Sequence, residues 1–276
     1  MFLSTCSPPE ALPFTPEITF NDLIFKDLNG EPDSLILFID FKDGDGDLGL
    51  ETSDTYFPYH DFEAIRGSNG KYVTLSSVNN SFPWVKTIPN FTQAIGEYSN
   101  SDTRMEFNCA NYEIGYINPD TTIFSSDSRI FGNNNSSVIF YTSLSIDPRD
   151  IDTTTLVLDT VLVNRNVNRY NIFVDYYIEK NGKFEFFDWL TAFDDTGCLG
   201  LDFNGRFPVF DRKNLETGST LVGTLKYAMV SSGFSILFRT GAIKLEVTIQ
   251  DRHLNKSNTI VVGGDNGFTL QEVARE

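Results

Sequence analysis

The sequence predicts an all-β protein: two antiparallel β-sandwich domains after a short N-terminal tether. Three observations predict it. Aromatic residues abound, with 25 Phe and 11 Tyr in 276 residues, and together with β-branched residues they favour pleated, half-buried strands. No long segment repeats its apolar residues at the helical period. Turn residues punctuate the chain at the roughly 8–12-residue spacing of sandwich folds.

Taken in order, Glu17 to Phe25 is predicted as the first strand, closed by Leu28-Asn29-Gly30 and Pro32. Ser34 to Lys42 is the second, apolar on both faces as far as Ile39 and therefore central. Short strands are expected at Tyr56–Phe62 and Lys71–Val78, and residues 79 to 103 look loop-rich from their Asn, Pro, Ser and Gly content. Arg104–Ile117 and Val138–Ile146 complete this half, and Asp147-Pro148-Arg149-Asp150 is the best boundary. The second half is predicted to run Thr155–Val163, Tyr170–Ile178, then a hairpin at Asn181-Gly182 returning through Phe184–Trp189. Leu221–Val230, Phe234–Phe238, Ile243–Gln250 and Thr259–Val262 are the last strands. Some seven short strands per half fit two immunoglobulin-like antiparallel β-sandwich domains, at 15–148 and 149–276, behind a tether at 1–14.

The formal charge of −17 argues against nucleic acid, whose phosphates need a basic face. That charge is uneven: the first 150 residues carry 22 acids against 8 bases, the remainder 16 against 13. The acidic half also holds the most specific chemistry of the chain, Asp43-Gly44-Asp45-Gly46-Asp47-Leu48-Gly49-Leu50-Glu51-Thr52-Ser53-Asp54. Three aspartates on alternate residues cannot all point one way along an extended strand. They converge only if the chain coils tightly, which the intervening glycines permit. Converging carboxylates need a cation among them, and a hard ion taking six to eight oxygens means Ca²⁺. The expected ligands are Asp43, Asp45 and Asp47, a carbonyl at Gly49, and Glu51 or Asp54. The bland alternative is a solvated acidic turn. The spacing resembles the Asp-x-Asp-x-Asp loops of EF-hands, dockerins and integrin propellers, but Leu48 stands where an EF-hand needs glycine, and a strand precedes the loop. A strand-edge calcium loop is therefore expected.

Catalytic signatures are lacking. His60 and His253 are far apart, zinc spacings are absent, and no Gly-x-Ser-x-Gly or phosphate-binding glycine loop occurs. Nothing singles out a carboxylate pair for glycoside hydrolysis, so no enzyme is expected. Trp84, Trp189, Phe186 and Phe187 offer a sugar-stacking platform, although aromatics at strand spacing more often form core. No apolar run reaches the ~18 residues of a membrane span.

Leu3-Ser4-Thr5-Cys6 is similar to a bacterial lipobox, with Cys6 as the lipidated residue, and Ser7-Pro8-Pro9-Glu10-Ala11-Leu12-Pro13 reads as an extended tether. The basic and apolar regions of a signal peptide are missing before Cys6. Cys109 and Cys198 either pair in an oxidising periplasm or remain buried thiols.

This start, the strand leading to Asp-Gly-Asp-Gly-Asp-Leu-Gly-Leu, Phe203-Asn204-Gly205-Arg206-Phe207-Pro208, and Asp251-Arg252-His253-Leu254-Asn255-Lys256-Ser257-Asn258 together resemble one family. It is the uncharacterised outer-membrane lipoproteins of Bacteroidota with immunoglobulin-like domains. The last motif reads locally as a turn, with Asn255 tolerating left-handed geometry and Asn258 bonding nearby backbone. The resemblance implies an outer-membrane lipoprotein anchored by lipid alone, facing the periplasm or the surface, and its motifs carry no assigned activity; with the calcium loop, the expected role is a calcium-stabilised, non-catalytic accessory or scaffold subunit of an outer-membrane protein complex. Carbohydrate or matrix binding is the alternative, and a hydrolase a third. It also implies O-glycans at Asp33-Ser34-Leu35, Asp120-Thr121-Thr122, Asp152-Thr153-Thr154 and Asp159-Thr160-Val161.

Overall fold

The computed structural model describes residues 12–27, 32–55, 57–67, 74, 84–87, 94–98, 112–118, 123–125, 157–190, 192, 203–210, 220–238 and 241–275. In chain order the strands begin with β1 (Glu17–Lys26), β2 (Asp33–Asp43), β3 (Phe62–Gly67), β4 (Trp84–Thr87) and β5 (Ala94–Tyr98). They continue with β6 (Tyr112–Asn118), β7 (Ile123–Ser125), β8 (Val157–Arg165), β9 (Ile172–Lys180) and β10 (Lys183–Phe187). The last four are β11 (Leu221–Ser231), β12 (Ile243–Ile249), β13 (Ile260–Val262) and β14 (Ala274–Arg275). A four-residue helix, α1 (Phe234–Leu237), follows β11. The fold is all-β, and among the described residues the strand pairings are antiparallel except for two residues of β1 against β14.

The strands fall into two compact units. The first is a β-sandwich of residues 1–54, 170–189 and 201–276. One sheet runs β11-β2-β1-β14, the other β10-β9-β12-β13. Both contribute to one core, in which Leu35, Leu37 and Ile39 of β2 are packed with Tyr176 of β9 and Leu245 of β12. Trp189 fills this core, edge-on to Phe203 at 4.8 Å and to Tyr176 at 5.3 Å between ring centroids.

β2 is central, as its two-faced apolar run predicts. β1 flanks it from Ser34 to Lys42, and β11 along its entire length from Asp33 to Asp43. β12 alternates buried Ile243, Leu245, Val247 and Ile249 with half-buried residues, the pattern of a sheet with one wet face. The Asn181-Gly182 hairpin joins β9 to β10 through two residues at φ 54° and 77°. Two positive φ values make the type I′ turn that matches strand twist.

The second unit comprises residues 55–169 and 190–200. Its described sheet runs β5-β4-β3-β8-β6-β7, with Phe62, Ile65, Tyr112, Val161 and Leu162 buried. Asn166 closes the end where the chain enters and leaves. Its backbone N–H bonds Asp61 O at 3.0 Å, and its amide donates to Pro58 O and His60 O.

This grouping is discontinuous in sequence and differs from the consecutive halves, 15–148 and 149–276, expected above. The boundary at 147–150 lies outside the described residues. A strand apolar on both faces needs a hydrogen-bonded neighbour on each edge. β2 finds its second neighbour, β11, near the other end of the chain.

Three local expectations are corrected. Residues 57–59 form a turn, and the strand begins at Phe62. The span 79–103, expected to be loop-rich, supplies β4 and β5. Phe234–Phe238 is expected as a strand but turns as α1. In an apolar run this short, helix and strand periods are indistinguishable. One helical turn puts Phe234 and Phe238 together in the core and leaves Ile236 outside, 77% exposed. Asp33 caps it, accepting from the Ser235 N–H and hydroxyl. Ser34, an expected glycan acceptor, is buried beside it in β2.

Candidate metal centre

The aspartate loop leaves the end of β2 and coils as its glycines allow. Gly46 and Gly49 adopt φ of 67° and 99°. A Cβ on Gly44 would stand 2.5 Å from the Pro13 carbonyl oxygen, and one on Gly49 2.5 Å from that of Pro208. Leu48 and Leu50 are buried on either side of Gly49 and anchor the loop to the core. The expected tether also ends here, since Gly44 N donates to Pro13 O at 2.9 Å. Residues 1–11, with Cys6, lie outside the described residues, as do Cys109 and Cys198.

A second loop meets the first. Asp251-Arg252-His253-Leu254-Asn255 follows β12, with the left-handed residue at Leu254 (φ 68°) rather than at Asn255. Asn255 instead braces Asp251: its backbone N–H and its side-chain amide each donate to one carboxylate oxygen, both at 2.8 Å. The brace holds Asp251, 2% exposed, against the aspartate loop.

The two loops produce two overlapping clusters of ligand atoms, each within 4.8 Å of one another: Asp43, Asp47 and Asp251 inside, and Asp45, Asp47 and His253 at the rim. Asp43 is wholly inaccessible, and neither of its carboxylate oxygens has an aligned hydrogen-bond partner, although the Asp47 backbone N–H favours its ionised form. Asp45 Oδ1 and both Asp47 oxygens are likewise inaccessible and lack aligned partners. His253 Nδ1 does approach Asp47 Oδ2 to 2.7 Å. Burial, then the charges of Asp45 and Asp47, push the Asp43 carboxyl up to about 6. Burial, then Asp251 and Asp45, also raise Asp47, with His253 pulling partly the other way.

Asp43, Asp45 and Asp47 are thus brought together as expected; the rest of the expected ligand set points elsewhere. The Gly49 carbonyl faces the Arg252 guanidinium at 3.4 Å. The Asp54 carboxylate is held by that same guanidinium at 2.8 and 3.2 Å and accepts the Glu51 N–H at 2.8 Å. Glu51 is exposed and takes part through its backbone. Leu48 and Leu50 are both buried, so the chain packs against the core after Asp47. Asp251 and His253 instead stand in the two clusters with the loop aspartates. The only sequence signal for them was the Asp-Arg-His-Leu-Asn motif, read there as a turn.

The second motif of interest, Phe203 to Pro208, braces the same region. Asn204 Oδ1 accepts Val174 N, and Arg206 donates to Asp54 O at 2.8 Å. Phe207 exchanges hydrogen bonds with the Asn171 side chain at 2.8 and 2.9 Å. Asn258 reaches Ile18, bonding both its N–H and its C=O at 2.8 Å, which is long-range and not the local contact expected.

Phe186, Phe187 and Trp189 of the proposed platform do not form one exposed strip. Trp189 and Phe187 pack in the core, and Phe186 is 57% exposed, edge-on to Tyr177. The Trp84 side chain lies outside the described residues. Compared with known protein families, curated proteins and solved structures, the chain matches none.

Proposed function

We propose that this is a calcium-stabilised, non-catalytic β-sandwich protein, acting as an accessory or scaffold subunit of an outer-membrane protein complex. The observation that supports the cation is Asp43: a wholly inaccessible carboxylate without an aligned hydrogen-bond partner, among Asp47 and Asp251. An isolated buried carboxylate is strongly disfavoured and either stays protonated or meets a cation. Oxygens lying opposite one another on a calcium ion are separated by about 4.6–5.2 Å, which accommodates ligand atoms within 4.8 Å. Asp43, Asp47 and Asp251 would hold the ion, with Asp45 closing the rim. An all-carboxylate, inaccessible set suits Ca²⁺ better than Mg²⁺, which retains several waters.

Because Asp43 ends a strand of one sheet and Asp251 follows a strand of the other, the ion fastens the two sheets. A fastened sandwich is a rigid mount, which supports a scaffold role. The lipid anchor at Cys6 and the outer-membrane location rest on the sequence of residues 1–14 and on the family resemblance. Calorimetric titration of chelator-treated protein with CaCl₂ tests the cation, with MgCl₂ as the comparison. Saturable binding of one Ca²⁺, tighter than Mg²⁺, is expected; no heat with either ion overturns the reading.

A further inference from the structure

We infer that the cation also controls the order of the segment Gly49–Asp54, through which the chain leaves the sandwich for residues 55–169, with Arg252 as the connecting residue. The inference rests on the cation reading above and goes beyond it by assigning the site a second effect on the chain.

The coupling is geometric. Arg252 lies between two residues of the proposed centre, Asp251 and His253, on a loop too stiff to let one move without the other. Asp251 N bonds Asn255 O at 3.1 Å, Leu254 N bonds Asp251 O at 3.2 Å, and both Asp251 oxygens are braced by Asn255. From this loop the Arg252 guanidinium forks onto Asp54, one nitrogen to each carboxylate oxygen, and also touches the Gly49 carbonyl. Forked guanidinium–carboxylate pairs fix direction as well as distance. Asp54 in turn closes the turn that ends the segment: its carboxylate accepts the Glu51 N–H, and its own N–H donates to Glu51 O at 3.1 Å. With the cation removed, Asp251 and the aspartate loop carry like charges at contact distance and separate. Arg252 then withdraws with Asp251, and the turn at Glu51–Asp54 loses its clamp. Arg206 holds Asp54 O from the other side, so the segment loosens without detaching.

Residue-resolved amide hydrogen exchange, on the full chain in CaCl₂ and in chelator, tests this. The Glu51 and Asp54 amides are the readout, since both are donors in the clamped turn. Calcium should slow them roughly tenfold, as expected when a local opening is suppressed. In Arg252→Gln, both amides should exchange fast with or without calcium. Calcium affinity, read by the same calorimetric titration, should weaken by no more than about the same factor, because the coupling is reciprocal, and one-to-one binding should persist. If calcium slows exchange around Asp43–Asp47 but leaves Glu51 and Asp54 unchanged, the coupling is overturned while the cation reading survives. If calcium changes exchange nowhere, the cation reading itself fails. If Arg252→Gln retains the calcium effect at Glu51 and Asp54, another path carries it and Arg252 is not the link.

Discussion

Asp43 and Asp251 sit near opposite ends of the sequence, yet their carboxylates share one inaccessible cluster with Asp47. Asp43 is the last residue of β2 in one sheet; Asp251 stands two residues beyond β12 in the other. Each sheet therefore brings a negative charge to the same seam, and the consequences of that meeting can be measured.

Replacing Asp43 by Asn separates charge from shape. The metal-free protein should become more stable, by on the order of 1 kcal/mol after screening, because one of the mutually repelling carboxylates is gone. Wild-type protein should gain about 1.4 kcal/mol from calcium at tenfold excess over Kd, and Asp43→Asn should lose most of that gain. Thermal melts of both proteins in chelator and in calcium check this. A calcium shift that survives intact in Asp43→Asn would remove Asp43 from the site.

The pH dependence has a defined sign. The folded, metal-free carboxyl of Asp43 is raised to about 6 from 3.8, so between those values the folded state holds a proton that the unfolded chain has lost. Its contribution to stability is full below about pH 4 and disappears as pH rises through about 6. In chelator, the melting temperature should therefore fall across this window, Asp47 adding in the same direction. With calcium the trend should reverse, since the ion needs the ionised form. Melting curves at half-unit pH steps, with and without calcium, decide it; a calcium-induced shift constant from pH 4 to 7 would contradict the assignment.

Gly49→Ala probes the loop independently of charge. Gly49 stands at φ 99°, and a Cβ there would lie 2.5 Å from the Pro208 carbonyl oxygen. The backbone conformation alone should cost about 1–3 kcal/mol. Chemical denaturation should show this loss with and without calcium.

Asn258→Ala should destabilise the sandwich by about 1–3 kcal/mol, the penalty for stranding buried polar groups. Asn258 bonds both the N–H and the C=O of Ile18. For a unit of this size, that is roughly 2–4 °C per kcal/mol in melting temperature. Asn258→Asp, which retains an acceptor for the Ile18 N–H, should lose less.

By itself the sequence determined the all-β class, most of the sandwich strands, the centrality of β2, the Asn181-Gly182 turn and the convergence of Asp43, Asp45 and Asp47. Each follows from chemistry within a few residues: alternation, β propensity, and glycines placed where the chain must coil. Only the tertiary structure decided which strands share a sheet. Hydrophobic alternation says that a face is buried without saying against what, so β11 could be paired with β2 only in three dimensions. Phe234–Phe238 turned helical for a similar reason, because the core had room for two phenylalanines one turn apart and Asp33 was there to cap them. The centre divides along the same line. Aspartates on alternate residues were legible because local spacing forces them together. Asp251, His253 and the Arg252–Asp54 pair were not, because carboxylates separated in sequence meet only where two sheets join, and that seam is set by the packing of the core.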